Sequence, residues 1–171
     1  MTKHPLQHAW SLWYNGNDAH KSWDENLQFV YSFNTIEDFW CVYNYIKLPT
    51  ELNNGTDYLL FKKHIKPRWE DKSNINGGKW IINSIHKVIN DVWLDIVLCL
   101  IGETLDSSNN ICGVILNIKV NKYKLGIWTK DIKYTDDIIN IGKKIRKIIN
   151  LPNKITIGYQ KHKSIDTIHI L

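Results

Sequence analysis

Trp69 and Glu70 stand side by side in Lys66-Pro67-Arg68-Trp69-Glu70-Asp71, just after a proline that fixes the local backbone. A second indole, Trp23, follows the polar stretch Asn15-Gly16-Asn17-Asp18-Ala19-His20-Lys21-Ser22. Loops run over the surface, so a tryptophan there is placed to meet a ligand. Two indoles can clamp a planar base, and a neighbouring carboxylate can accept hydrogen bonds from the base edge. That is the chemistry of single-stranded nucleotide recognition. Taken alone, the hexapeptide fits better a core Trp69 capping a strand, with Glu70 solvated beside it.

A second group lies in an expected hairpin, 111–120 and 124–129, joined across Asn121-Lys122-Tyr123. Side chains alternate along a strand, so Asn117 and Lys119 share one face, and Lys124, Gly126 and Trp128 share another. Turn geometry can bring the two sets together as a cationic wall with a third candidate indole. The alternative is a solvated outer face, the usual place for lysines near a hairpin end.

Nothing in the sequence carries catalysis. No HExxH, nucleophile elbow or phosphate loop is present, and Gly78-Lys79 is followed by Trp80 without the earlier glycine. The seven histidines are scattered. Neither a metal nor a cofactor is expected.

These side chains need a scaffold, and 171 residues suit one domain, 1–171, with a full core. Hydrophobic residues make up 43% and charged residues 23%, as in soluble globular proteins. Eight tryptophans are more than a core of this size holds without crowding, so some serve a surface or pocket. The net charge of +5 favours a polyanionic partner. Cys41, Cys99 and Cys112 are an odd, widely spaced set without CxxC, which fits a reducing compartment. The first residues carry no apolar signal region, and no apolar run reaches the length of a membrane span.

Period-two patterning predicts strands at 8–14, with Trp10, Leu12 and Tyr14 on one face, and at 27–34, with Leu27, Phe29, Tyr31 and Phe33 on one face. Thr35 is the expected N-cap of a helix over 36–47 that Pro49 stops, with Phe39, Tyr43 and Ile46 buried and Ile36 and Trp40 forming a neighbouring stripe. Strands follow at 58–64 and 79–83, and a second helix covers about 85–101. Thr135 is expected to cap a third helix, whose acidic start and basic end suit the helix dipole. Short strands at 155–158 and 167–170 close the chain. The fold class is α+β, a mostly antiparallel sheet with helices on one face.

An ordered set of blocks carries a resemblance. They are His4-Pro5-Leu6-Gln7, Trp10 and Trp13, Lys21-Ser22-Trp23, Glu37-Asp38-Phe39-Trp40, Trp69-Glu70-Asp71, Gly77-Gly78-Lys79-Trp80, Leu98-Cys99-Leu100-Ile101-Gly102-Glu103, Ile127-Trp128-Thr129 and Ile157-Gly158-Tyr159-Gln160. Together they resemble the eukaryotic translation initiation factor 4E family, the mRNA cap-binding proteins, from His4 to the C-terminus. The resemblance implies a curved antiparallel sheet of about eight strands, three helices on the convex face and a cap slot on the concave face. It implies that Trp23 and Trp69 sandwich 7-methylguanine, that Glu70 accepts from N1–H and the 2-amino group, and that the Trp69 backbone N–H serves the ring oxygen. Trp128 would lie against the methyl group. Lys79, Lys119 and Lys124 would face the triphosphate, with Asn117 orienting that wall. Methylation at N7 makes the base a cation, so stacking between indoles gains a cation–π contribution that GTP lacks.

The same resemblance implies a dorsal patch of His4, Pro5, Ile36, Trp40, Leu94, Asp95, Leu98 and Gly102 for a helical peptide of scaffold factor 4G or of 4E-binding repressor proteins. Read from its own segment, Trp40 is core packing beside Phe39. The implied protein is a cytoplasmic monomer, with the nucleus as a second compartment, and it brings capped mRNA to the initiation machinery. Two other readings stay open. One is a cap-binding repressor-type homologue that does not recruit the scaffold. The other is a general single-stranded RNA-binding module, which leaves Glu70 beside Trp69 unexplained. The chain departs from the family pattern at Lys119, where arginine is usual, and in a shorter segment between Gln160 and Thr167.

Overall fold

Strand alternation sorts the apolar residues of this chain onto the two sides of one sheet. The computed structural model describes residues 2–83, 88–106, 109–120, 122–153 and 155–171. Its strands are β1 (Pro5–Asn15), β2 (Leu27–Thr35), β3 (Asp57–Lys62), β4 (Gly78–Asn83), β5 (Ile111–Lys119), β6 (Lys122–Thr129), β7 (Gly158–Lys161) and β8 (Thr167–Ile170). They form one curved antiparallel sheet in the order β2-β1-β3-β5-β6-β4-β7-β8. The helices are α1 (Trp23–Asn26), α2 (Ile36–Tyr45), α3 (Ile89–Ile101) and α4 (Thr135–Ile148), with a 3-10 turn at Pro49–Glu51.

β3 shows the sorting. Tyr58 and Leu60 join the main core with Trp93, Ile96 and Leu100 of α3 and Ile138, Ile141 and Ile145 of α4, whereas Leu59 and Phe61 join a second cluster with Trp128, Trp13 and Ile115. The long helices therefore cover one side and leave the other open, held by a small aromatic floor. Packing of helix on sheet is close: a Cβ on Gly142 of α4 would fall 2.5 Å from the Trp80 ring, and the Trp80 indole donates to the Ile138 carbonyl at 2.9 Å.

Several boundaries differ from the sequence expectation. β1 begins at Pro5, not residue 8, because it pairs with Thr35 at its outer end. Leu27, Phe29, Tyr31 and Phe33 do not share a face. Leu12 pairs with Tyr31 and Trp13 with Phe29, so Val30 is an extra residue that flips the alternation. Phe33 enters the helix-side core, while Phe29 packs edge-on against Trp13 at 5.3 Å on the open side.

Thr35 does cap α2, accepting from the Asp38 N–H at 3.2 Å, but the helix ends at Tyr45 rather than Lys47. β3 stops at Lys62. The expected start of the second helix, Ile85, lies outside the described residues, and α3 runs from Ile89. β5 and β6 pair out to Lys119 opposite Lys122, so Lys122 and Tyr123 belong to the strand rather than the turn, and Asn121 lies outside the described residues. Thr135 is the first helical residue of α4; Tyr134 holds the N-cap position and supplies no side-chain bond. The strand expected at 155–158 starts where that range ends, at Gly158. Among the described residues no helix is long and apolar enough to cross a membrane.

Candidate functional site

Three indoles are exposed, and two of them meet on the open side of the sheet. Trp23 is 43% exposed and Trp69 42%, whereas Trp10, Trp80 and Trp93 are fully buried. Trp23 and Trp69 line one cleft of about 550 Å³ with Ser22, Asp24, Pro67, Arg68, Glu70, Ile115 and Trp128. That volume lies within the range of small-molecule sites, roughly 300–1,000 Å³.

Each exposed indole is carried by a braced segment. Trp23 opens the one-turn α1, not the loop the sequence suggested. Ser22 accepts from the Glu25 N–H at 3.3 Å, and Glu25 accepts from the Ser22 N–H at 2.7 Å, a reciprocal cap. Buried Asn26 donates to the carbonyls of Asp18, Lys21 and Ser22 and accepts from the Asp18 N–H, closing the preceding loop. Asn15 at the end of β1 donates to the Trp23 carbonyl at 3.0 Å.

Trp69 sits in a turn tied from the far side. Asp71 accepts from the N–H groups of Lys66 and Ser73, and buried Asn74 donates to the carbonyls of Lys66 and Arg68. None of these bonds uses the Trp69 N–H or the exposed Glu70 carboxylate. Arg68 bridges the two segments by an ion pair to Asp24 at 3.0 Å.

Trp128 forms the floor. It is 7% exposed and packs edge-on against Phe61 at 5.4 Å. The His162 ring lies 4.0 Å from it, centroid to centroid. Neither His162 nitrogen has a hydrogen-bond partner among the described residues, and burial, helped by the Lys79 charge, holds its pKa down to about 3. His162 is therefore neutral at physiological pH.

Register brings the cationic wall together. Lys79 of β4 pairs with Trp128, and its Nζ lies 5.6 Å from that ring centroid. Asn117 pairs with Lys124, and Lys119 with Lys122. Burial lowers the pKa of Lys79 first and the neighbouring Lys124 charge second; Lys124 is lowered by burial, then by Lys119 and Lys122. Lysines lowered by neighbouring positive charge, as Lys79 and Lys124 are, gain from a polyanion that relieves the repulsion.

The helix side carries the other set of expected residues. His4 and Pro5 are stitched to the start of α2: the His4 N–H and ring nitrogen bond the two Glu37 oxygens at 2.9 and 2.6 Å, and the Ile36 N–H donates to the His4 carbonyl. Ile36 and Trp40 are exposed one turn apart, so Trp40 is not simple core packing, although it touches Phe39 and Tyr43. On α3, Leu94 and Leu98 are half-buried and Asp95 is exposed, as is Gly102 just past its end.

Sequence reasoning missed Arg68–Asp24, Asn26, Asn74 and His162. Asparagines inside turn segments were the available signal for Asn26 and Asn74. For His162 there was none, because its partner Trp128 lies on another strand.

A family model described as "Eukaryotic initiation factor 4E" matches residues 5–168. The Drosophila melanogaster eukaryotic translation initiation factor 4E1 is 46% identical over 166 residues, which is 95% of this chain and 64% of that one. The chain thus spans just under two thirds of that relative's length. The Homo sapiens eukaryotic translation initiation factor 4E is 42% identical over 166 residues, 94% of this chain and 76% of that one. Among solved structures, C. elegans initiation factor 4E-3 with the 4E-binding protein Mextli and cap analog superposes with a TM-score of 0.95 at 36% identity, covering 99% of this chain and 100% of that one. Ascaris suum initiation factor 4E-3 with m2,2,7G cap also gives 0.95, at 34% identity and 99% coverage of both.

Proposed function

The chain belongs to the eukaryotic initiation factor 4E family, and on that premise we propose that it binds the 7-methylguanosine cap of mRNA in the open-side cleft and hands the message to the initiation machinery through its helix side. The single observation that carries this reading is that Trp23 and Trp69, both exposed, line one cleft with Glu70 and Trp128. The protein binds and does not catalyse.

Trp23 and Trp69 stack on the two faces of the methylated base. Stacking contributes roughly 1–3 kcal/mol per base. The positive charge on the methylated ring adds about 2 kcal/mol once desolvated between indoles. Glu70, unengaged by protein donors among the described residues, accepts from the guanine edge, and the Trp69 N–H serves the ring oxygen. Trp128 closes the floor against the methyl group. Lys79, Lys119 and Lys124 receive the triphosphate, with Asn117 between them. The helix-side patch of His4, Pro5, Ile36, Trp40, Leu94, Asp95, Leu98 and Gly102 takes a helical peptide of scaffold factor 4G or of 4E-binding repressors, in the cytoplasm and with the nucleus as a second compartment. Exposure of Ile36 and Trp40 supports a protein that recruits a partner over a homologue that only sequesters caps.

Titration with 7-methyl-GTP should quench tryptophan emission, while GTP should do so only at concentrations on the order of a hundredfold higher, the factor expected for losing about 2–3 kcal/mol. Equal affinity for the two nucleotides would reject the cleft and favour a general RNA-binding module.

A further inference from the structure

Asp57 places a carboxylate inside a wall otherwise built from lysines and asparagine. It opens β3 on the same side as Leu59 and Phe61, opposite Asn15 of β1 and Asn117 of β5, and Asn117 stands opposite Lys124 of β6. Asn15, Asp57, Asn117 and Lys124 thus form one row across four strands, with neighbours about 4.8 Å apart in the hydrogen-bonding direction. At one end of the row Asn15 holds the Trp23 carbonyl. In the middle, Asn117 Nδ2 donates to Asp57 Oδ1 at 2.7 Å.

An ionised carboxylate only accepts, so the amide nitrogen of Asn117 must face Asp57, and its oxygen turns away, toward the β6 side of the row. Burial pushes the Asp57 carboxyl up, and the Asn117 hydrogen bond and the Lys119 charge pull it back. A half-buried carboxylate beside a triphosphate site carries two costs, desolvation and repulsion of the ligand. A group held against both costs is explained if it orders the wall.

Resting on the cleft assignment proposed above, we infer that Asp57 is a positioning residue for the phosphates: it fixes the Asn117 amide, and with it the adjoining lysines, in the arrangement that receives the triphosphate. Removing this negative charge therefore weakens anion binding. Plain electrostatics has the opposite sign, since deleting a negative charge near a polyanion strengthens its binding. In Asp57→Asn the new amide can donate, so it lets Asn117 turn over and loses the fixed orientation.

The test uses tryptophan quenching by 7-methyl-GTP and by 7-methylguanosine in the wild type, Asp57→Asn, Asn117→Ala and the double variant, with guanosine titrated into the wild type as well and thermal unfolding of each protein to confirm a native fold. Asp57→Asn should lose about tenfold in 7-methyl-GTP affinity and less than about twofold for the nucleoside. The double variant should lose less than the two singles combined, because one residue acts through the other. Unchanged or tighter 7-methyl-GTP binding in Asp57→Asn overturns the inference, because the charge then merely opposes phosphate. Equal loss for both ligands also overturns it, since Asp57 then supports only the sheet, and so does strict additivity. A wild type that does not prefer 7-methylguanosine over guanosine strikes the cleft assignment itself and takes this inference with it. The other outcomes leave that assignment standing.

Discussion

His162 presses against Trp128 with both ring nitrogens unpartnered among the described residues, an expensive arrangement for a polar ring. Its pKa is held at about 3, below the ordinary histidine value, first by burial and then by Lys79. The sign for stability follows. As pH falls below about 6.5 the unfolded chain takes up this proton and the folded one does not, so stability is full above that pH and drains away toward pH 3. One proton corresponds to about 1.4 kcal/mol per pH unit. Chemical denaturation of the wild type at pH 7, 6 and 5 should show that slope, and His162→Phe, which keeps a ring against Trp128, should flatten it. Identical slopes in the two proteins would place His162 in water. Lys119 makes the second prediction at this scale. Lysine is a hydrated point charge, while arginine offers a planar fork that matches phosphate oxygens. Lys119→Arg should tighten 7-methyl-GTP binding by about 1 kcal/mol and leave 7-methylguanosine unchanged. Lys119→Glu should shrink the advantage of triphosphate over nucleoside. Affinity ratios that match in all three proteins would remove Lys119 from the phosphate wall.

At the scale of elements, the proposed Trp23 clamp depends on a helix too short to stand alone. One turn fixes several dihedrals for a single hydrogen bond, so α1 persists through its reciprocal Ser22–Glu25 cap and through Asn26, whose amide gathers three carbonyls. Asn26→Ala leaves the Lys21 carbonyl and the Asp18 N–H without their partner, while the Asp18 and Ser22 carbonyls keep the N–H groups of Lys21 and residue 26. It should weaken 7-methyl-GTP binding by about 1–2 kcal/mol, through a slackened clamp rather than a lost contact. Affinity measured by quenching, beside Trp23→Ala as the limit, checks this; an unchanged value would mean the loop holds itself. The same contrast shows what could be read from sequence. Local signals sufficed for the Thr35 cap and for the lysine and asparagine alternation along the β5–β6 hairpin, because each is set by residues a few positions apart. The flip at Val30 was not legible, since a bulge is defined only by pairing with Leu12 and Trp13 on another strand. Trp23 looked like a loop residue because the cap that makes α1 spans four residues, below the length at which periodicity speaks. The four-strand row through Asp57 likewise exists only once β1, β3, β5 and β6 are in register.

At the scale of the whole molecule, the sheet separates the proposed cap cleft from the proposed peptide surface. Residues of opposite parity along β3 and β5 serve the two sides: Leu59, Phe61 and Asn117 belong to the cleft side, and Tyr58, Leu60 and Leu116 to the core beneath α2, α3 and α4. Trp40 lies beyond that core, on the outer face of α2, 36% exposed, and its ring contacts among the described residues are with Phe39 and Tyr43 of its own helix. Interior packing is dense and transmits strain, but deleting an outer indole leaves no cavity inside the core. Trp40→Ala should therefore cost at least about 2 kcal/mol, more than about thirtyfold, in binding a helical 4E-binding peptide, as truncation of a central tryptophan commonly does. Its affinity for 7-methyl-GTP should stay within about twofold. Coupling between sites is reciprocal, so the same experiment run with saturating 7-methyl-GTP fixes the size of any communication across the sheet. A peptide affinity that rises with cap present must be matched by an equal rise in cap affinity with peptide present. If Trp40→Ala instead weakens cap binding in a protein that still unfolds cooperatively, then α2 is part of the support of the cleft, and the two surfaces cannot be assigned to separate tasks.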